Sequence, residues 1–87
     1  MAGRYKGIWY FDNTNAGAKT ALTFIKKVRW VSKTATAGDQ VILKDEAGNV
    51  VWESCAPAAN FTDKDDLNRQ ATFTVDTITS GHLYLYE

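Results

Sequence analysis

At 87 residues the chain is long enough for one domain and too short for two, and a chain this small buries only about 60–65% of the surface its unfolded form exposes. Ten basic residues balance ten acidic ones, which removes long-range attraction to nucleic acid or anionic lipid and leaves little repulsion between copies of the chain. A single cysteine and a single histidine exclude an internal disulfide and a structural zinc site.

Lys6 to Phe11 (KGIWYF) is an apolar, aromatic run closed by Asp12-Asn13 and reads as a strand. Ile8, Trp9, Tyr10 and Phe11 cannot all be buried by one sheet face, because successive side chains of a strand point to opposite sides. Two expectations stay open for residues 1–20. They form either an arm that docks on a partner chain, tied down from Met1 onward, or a first strand of the domain that residues 21–87 build. Residues 12–20 are small and polar, as in a loop. Ala21 to Ser32 (ALTFIKKVRWVS) alternates as a strand, with Leu22, Phe24, Val28 and Trp30 expected inward and Thr23, Lys27 and Arg29 outward. Ile25, Lys26 and Val31 interrupt that alternation, which predicts a β-bulge or a second buried patch. Trp30 is the expected core anchor.

Gln40 to Asp45 and Asn49 to Cys55 flank Glu46-Ala47-Gly48, a hairpin in which Gly48 supplies the positive φ. Residues 56–70 read as a long irregular connection with one helical turn near Asp63 to Asn68. Thr72 to Thr79 returns to strand chemistry, and Ser80-Gly81 turns the chain into His82 to Tyr86. There Leu83 and Leu85 share one face, with Tyr84 and Tyr86 on the other. About six short strands and no firm helix predict an all-β fold, a small antiparallel β-sandwich or barrel.

Residues for catalysis are scarce. His82, beside a turn, is expected on the surface, and Cys55 is expected as a small inert packing residue. Asp63, Asp65 and Asp66 offer oxygens to a calcium ion, but the run lacks the Gly and the closing Glu of an EF-hand loop, so a solvated acidic loop is the preferred reading. No cofactor is expected. Lys26, Lys27, Arg29 and Lys33 interleave with Trp30 as on a β-surface that binds single-stranded nucleic acid; Trp30 falls on the opposite face from Lys27 and Arg29, which disfavours that reading. Carbohydrate binding through exposed Trp and Tyr is a third, weaker reading. The surplus of aromatics points instead to a contact surface built from Ile8, Trp9, Tyr10, Phe11, Tyr84 and Tyr86. No run nears the ~18 apolar residues of a membrane span, and no apolar stretch follows the first residues as in a signal peptide. The expected compartment is a reducing cytoplasm or a particle assembled there.

Ile25, Lys26, Val28 and Trp30, then Ala37-Gly38-Asp39, then Asp45 with Gly48-Asn49, then Ser80-Gly81 with Leu83-Tyr84-Leu85-Tyr86 follow one another in a recognisable order. In this the chain resembles small β-rich structural proteins of tailed-bacteriophage virions, over about half its length. The resemblance implies a non-enzymatic virion protein, a decoration or cement subunit that bridges capsid subunits or else a neck or tail component. Its partners would be the major capsid protein or other virion proteins, and copies of itself, most often as a trimer.

Overall fold

Short runs of alternating apolar and polar residues can satisfy their backbone N–H and C=O groups only by pairing strand to strand. In the computed structural model, which describes residues 3–87, they do so in seven strands. These are β1 (Gly3–Tyr5), β2 (Ile8–Asp12), β3 (Lys19–Ser32), β4 (Gln40–Lys44), β5 (Val50–Cys55), β6 (Phe61–Ile78) and β7 (His82–Tyr86). The fold is all-β, as the sequence indicates, with one strand more than expected and no helix among the described residues. All neighbours run antiparallel, in the order β1-β2-β7-β3-β6-β4-β5.

Seven strands laid flat would make a sheet roughly 34 Å wide and one layer thick. The molecule measures 32 × 26 × 23 Å, so the sheet folds over on itself. The long strands β3 and β6 run through both halves. Lys27–Ser32 of β3 lies between β7 and the first half of β6, completing a layer β1-β2-β7-β3-β6. The first half of β3 pairs with the second half of β6, which continues to β4 and β5 as a second layer. Phe11, Val28, Trp30, Leu83 and Leu85 from the first layer and Val41, Leu43, Phe73 and Val75 from the second meet in one buried core. Trp30 is its largest fully buried side chain: the indole Nε1–H donates to the Ser80 carbonyl at 2.9 Å, and Phe61 meets the ring edge-on at 5.7 Å.

Two irregularities bend β3 and β6 between the layers. Between Lys19 and Leu22 the extra residue is on β3, where the buried Thr20 hydroxyl accepts the Phe73 N–H at 3.0 Å in place of a ladder carbonyl. Between Ile25 and Lys27 the extra residue is on β6, where Asn68 adopts φ 47°. The anticipated bulge is therefore present, and it corrects the burial pattern. Leu22 and Phe24, expected inward with Val28 and Trp30, are exposed at 67% and 44%, because the inner face passes from Ile25 to Val28, three residues on.

Residues 61–70, expected within an irregular connection carrying a helical turn, are the first half of β6; only the short stretch from 56 to 60 is loop. The polar side chains that suggested a loop occupy an outward face and an open sheet edge. Cys55, expected to pack, is exposed on β5. β1 and β2 place most of residues 3–12 in the domain's own sheet against β7. The part of the arm expectation that rests on Met1 lies outside the described residues.

Candidate functional site

Tight turns hold the ends of the first layer in place. Gly81, at φ 77°, brings Ser80 against β3, where the Ser80 and Ser32 hydroxyls are 2.6 Å apart in the interior. Asp12 accepts the Thr14 backbone N–H at 2.9 Å and so closes the turn after β2. At the opposite end Glu87 takes Nε and Nη2 of Arg4 at 2.7 and 2.6 Å and the Trp9 indole N–H at 2.6 Å. The Arg4 guanidinium, with help from the Trp9 and Thr23 hydrogen bonds, holds the Glu87 carboxyl down at about 2.

Between these ends the registers set the outward side chains in cross-strand rows. One row reads Tyr5, Ile8, Tyr86, Lys27, Asp66. The central row reads Gly3, Tyr10, Tyr84, Arg29, Lys64, and the third reads Asp12, His82, Val31, Thr62. The Tyr10 ring lies across Gly3, where even a Cβ would sit 2.5 Å from the Tyr10 hydroxyl. The Arg29 guanidinium stacks 5.8 Å from the Tyr84 ring centre. Two shallow clefts adjoin at Arg29. One, of about 440 Å³, is lined by Lys27, Lys64, Asp65, Asp66 and Tyr86. The other, of about 560 Å³, is lined by Asp12, Lys33, Ser80, His82 and Tyr84.

This face unites residues that the sequence reading had assigned to two rival sites. Ile8, Tyr10, Tyr84 and Tyr86 of the aromatic set share it with Lys27, Arg29 and Lys33 of the basic set. Three residues of those sets lie elsewhere. Phe11 is 1% exposed and belongs to the core. Trp9 turns inward opposite Leu85 under the Arg4–Glu87 pair, and Lys26 sits at the irregularity beside Ile25 and lines neither cleft. Tyr5, Lys64 and His82 were not foreseen on the face. Lys64 had no signal, because its place needs residues 61–66 to be strand. Alternation along HLYLY sets His82 on the side of Tyr84 and Tyr86, so that residue was within reach. Asp63 and Asp66 lie on opposite faces of β6, and Asp63 accepts the Ser54 hydroxyl at 2.6 Å. No cluster of three or more His, Cys, Asp or Glu suited to a metal occurs among the described residues.

No protein-family description and no curated protein matches the chain. Among solved structures it is similar to an RmlC-like cupin protein from Desulfovibrio desulfuricans, at 10% identity and TM-score 0.37, over 98% of this chain and 77% of that one. It is also similar to the lectin domain of lectinolysin, solved with the Lewis B antigen, at 12% identity and TM-score 0.39, over 90% of this chain and 66% of that one. A fucose-binding module from Streptococcus pneumoniae matches at 12% identity and TM-score 0.36, over 90% of this chain and 59% of that one.

Proposed function

We propose that the chain is a non-enzymatic docking protein that attaches to a protein surface through the outward face of its first layer. The observation that carries this reading is the central row between the two shallow clefts, in which Tyr10, Arg29 and Lys64 are exposed and Tyr84 is half-buried. Tyr and Arg are, with Trp, the residues enriched at interface hot spots: Tyr offers large contact area at low cost in conformational entropy, and Arg a fork of directional donors. The sequence resemblance to tailed-phage virion proteins supports a particle as the setting. The major capsid protein is then the leading partner, a neck or tail protein the alternative, and the chain acts as a subunit of a homo-oligomer, a trimer by that resemblance.

Single-stranded nucleic acid is the competing ligand, because rings of β7 now run beside the basic residues of β3. Charge along β3 argues against it. Asp66 stands opposite Lys27, and Asp12 lies in the cleft with Lys33. A phosphate backbone following the basic run would meet a carboxylate at each end.

The test is co-sedimentation with capsids assembled from the major capsid protein of the same genome. Stoichiometric binding is expected, and Tyr84→Ser or Arg29→Ser should each weaken it roughly 30-fold, about 2 kcal/mol, as for a hot-spot truncation. Wild-type protein that ignores the capsid but binds oligonucleotides at micromolar, steeply salt-dependent affinity would overturn the proposal.

A further inference from the structure

Arg29 and Lys64 face each other directly across β3 and β6, and both are exposed. Side chains so placed have Cβ atoms roughly 5 Å apart, and two like charges there destabilise the sheet. The ion pairs among the described residues are Arg4–Glu87, Lys44–Asp76 and Arg69–Asp45, so neither cation has a carboxylate within ion-pair distance there, and Arg29 lies instead over the Tyr84 ring. An anion seated between them converts that repulsion into attraction, with charge-assisted hydrogen bonds to both groups. The same row continues into Tyr84 and Tyr10, whose partly exposed rings give an apolar group a place to rest beside the anion.

We infer that the Tyr10–Tyr84–Arg29–Lys64 row is a receptor site for one isolated carboxylate of the protein partner, with a neighbouring apolar or aromatic side chain resting on the tyrosines. The pattern of charge selects for a single anion. Asp66 lies in the row on one side and Asp12 in the row on the other, so an anion confined to the central row faces Arg29 and Lys64 directly, whereas an extended polyanion runs over both carboxylates. The inference rests on the docking reading and narrows it to a partner whose contact patch has an acidic centre.

The full chain, isotope-labelled, is titrated with 3-phenylpropionate, which carries both groups, and with 3-phenylpropionamide as its uncharged twin. The acid should saturate shifts of the Arg29 side-chain N–H and of the Tyr10 and Tyr84 rings. The amide should bind roughly tenfold more weakly, having lost charge-assisted hydrogen bonds, and Arg29→Gln or Lys64→Gln should weaken the acid by a similar factor. Both positions are exposed, and unchanged spectra elsewhere would certify folding. The inference fails if acid and amide bind alike, if the shifts lie away from the row, or if inorganic phosphate or oligothymidylate binds as tightly as the acid. Should it fail while capsid binding still depends on Tyr84 and Arg29, the docking proposal stands without it. Should the acid bind as expected while the capsid is ignored, only the docking proposal falls.

Discussion

Replacing Trp30 with alanine removes the largest fully buried side chain of the described structure and the one donor to the Ser80 carbonyl that the fold provides from this ring. Truncating a buried Trp to Ala costs about 3–5 kcal/mol in lost transfer energy and residual cavity. A buried carbonyl left without its donor adds about 1 kcal/mol, for a total of about 4–6 kcal/mol. A domain of this length has roughly 4–13 kcal/mol in all, so Trp30→Ala should be largely unfolded or melt far below the wild type. Urea unfolding followed by far-ultraviolet circular dichroism measures the difference, and Trp9 and Trp52 remain as fluorescent probes. Trp30→Phe keeps most of the apolar volume and should lose only about 1–2 kcal/mol, mainly the hydrogen bond. An alanine variant within about 1 kcal/mol of wild type would refute the placement of Trp30 at the centre of the core.

Gly81→Ala should cost about 2–4 kcal/mol, since φ is 77° and the new Cβ would press on the Val31 carbonyl oxygen and stand 2.6 Å from Ser32 Cβ. Gly38→Ala, at φ 95° but with open space around it, should cost only about 1 kcal/mol, and equal melting of the two variants would show that the Ser80-Gly81 turn is not packed as described. Glu87 titrates at about 2 when folded against an ordinary 4.5, so its stabilising effect is full above about pH 4.5 and is lost as pH falls through the folded value. Glu87→Gln should flatten the acid limb of a stability-against-pH curve, and an unchanged limb would remove Glu87 as its source. Leu22→Thr should shift stability by no more than about 0.5 kcal/mol, because its side chain faces solvent; a loss of core size, about 2 kcal/mol or more, would restore the simple alternation of β3.

Much of the architecture was legible in residue order. The hairpin between β4 and β5 follows from Gly48, which takes φ 86°. The turn into β7 follows from Ser80-Gly81, and the inward Leu83 and Leu85 with outward Tyr84 and Tyr86 follow from strict alternation in HLYLY. The interruption at Ile25 and Lys26 marked one of the two irregularities of β3, whereas Val31 lies in regular pairing and the irregularity after Lys19 had no such signal. What misled the reading was β6. FTDKDDLNRQ has the composition of a loop, because that half of the strand lies at the edge of the first layer and turns few side chains into the core. Propensity is local, whereas the need to pair with β3 is not.

The candidate face shows the same division. Local sequence was enough to say that β7 shows tyrosines and β3 shows Lys27 and Arg29 on surfaces away from the core, since side-chain direction within a strand has a period of two. That Tyr84 lies beside Arg29, and Arg29 beside Lys64, depends on strand order and register: residue 29 meets residues 84 and 64 across separations of 55 and 35 positions. Those neighbours are chosen by how the whole sheet buries Trp30 and closes over β3. A one-residue slip of β3 or β7 would turn their outward side chains into the core, so burial of the inner face sets the register that composes the outer one.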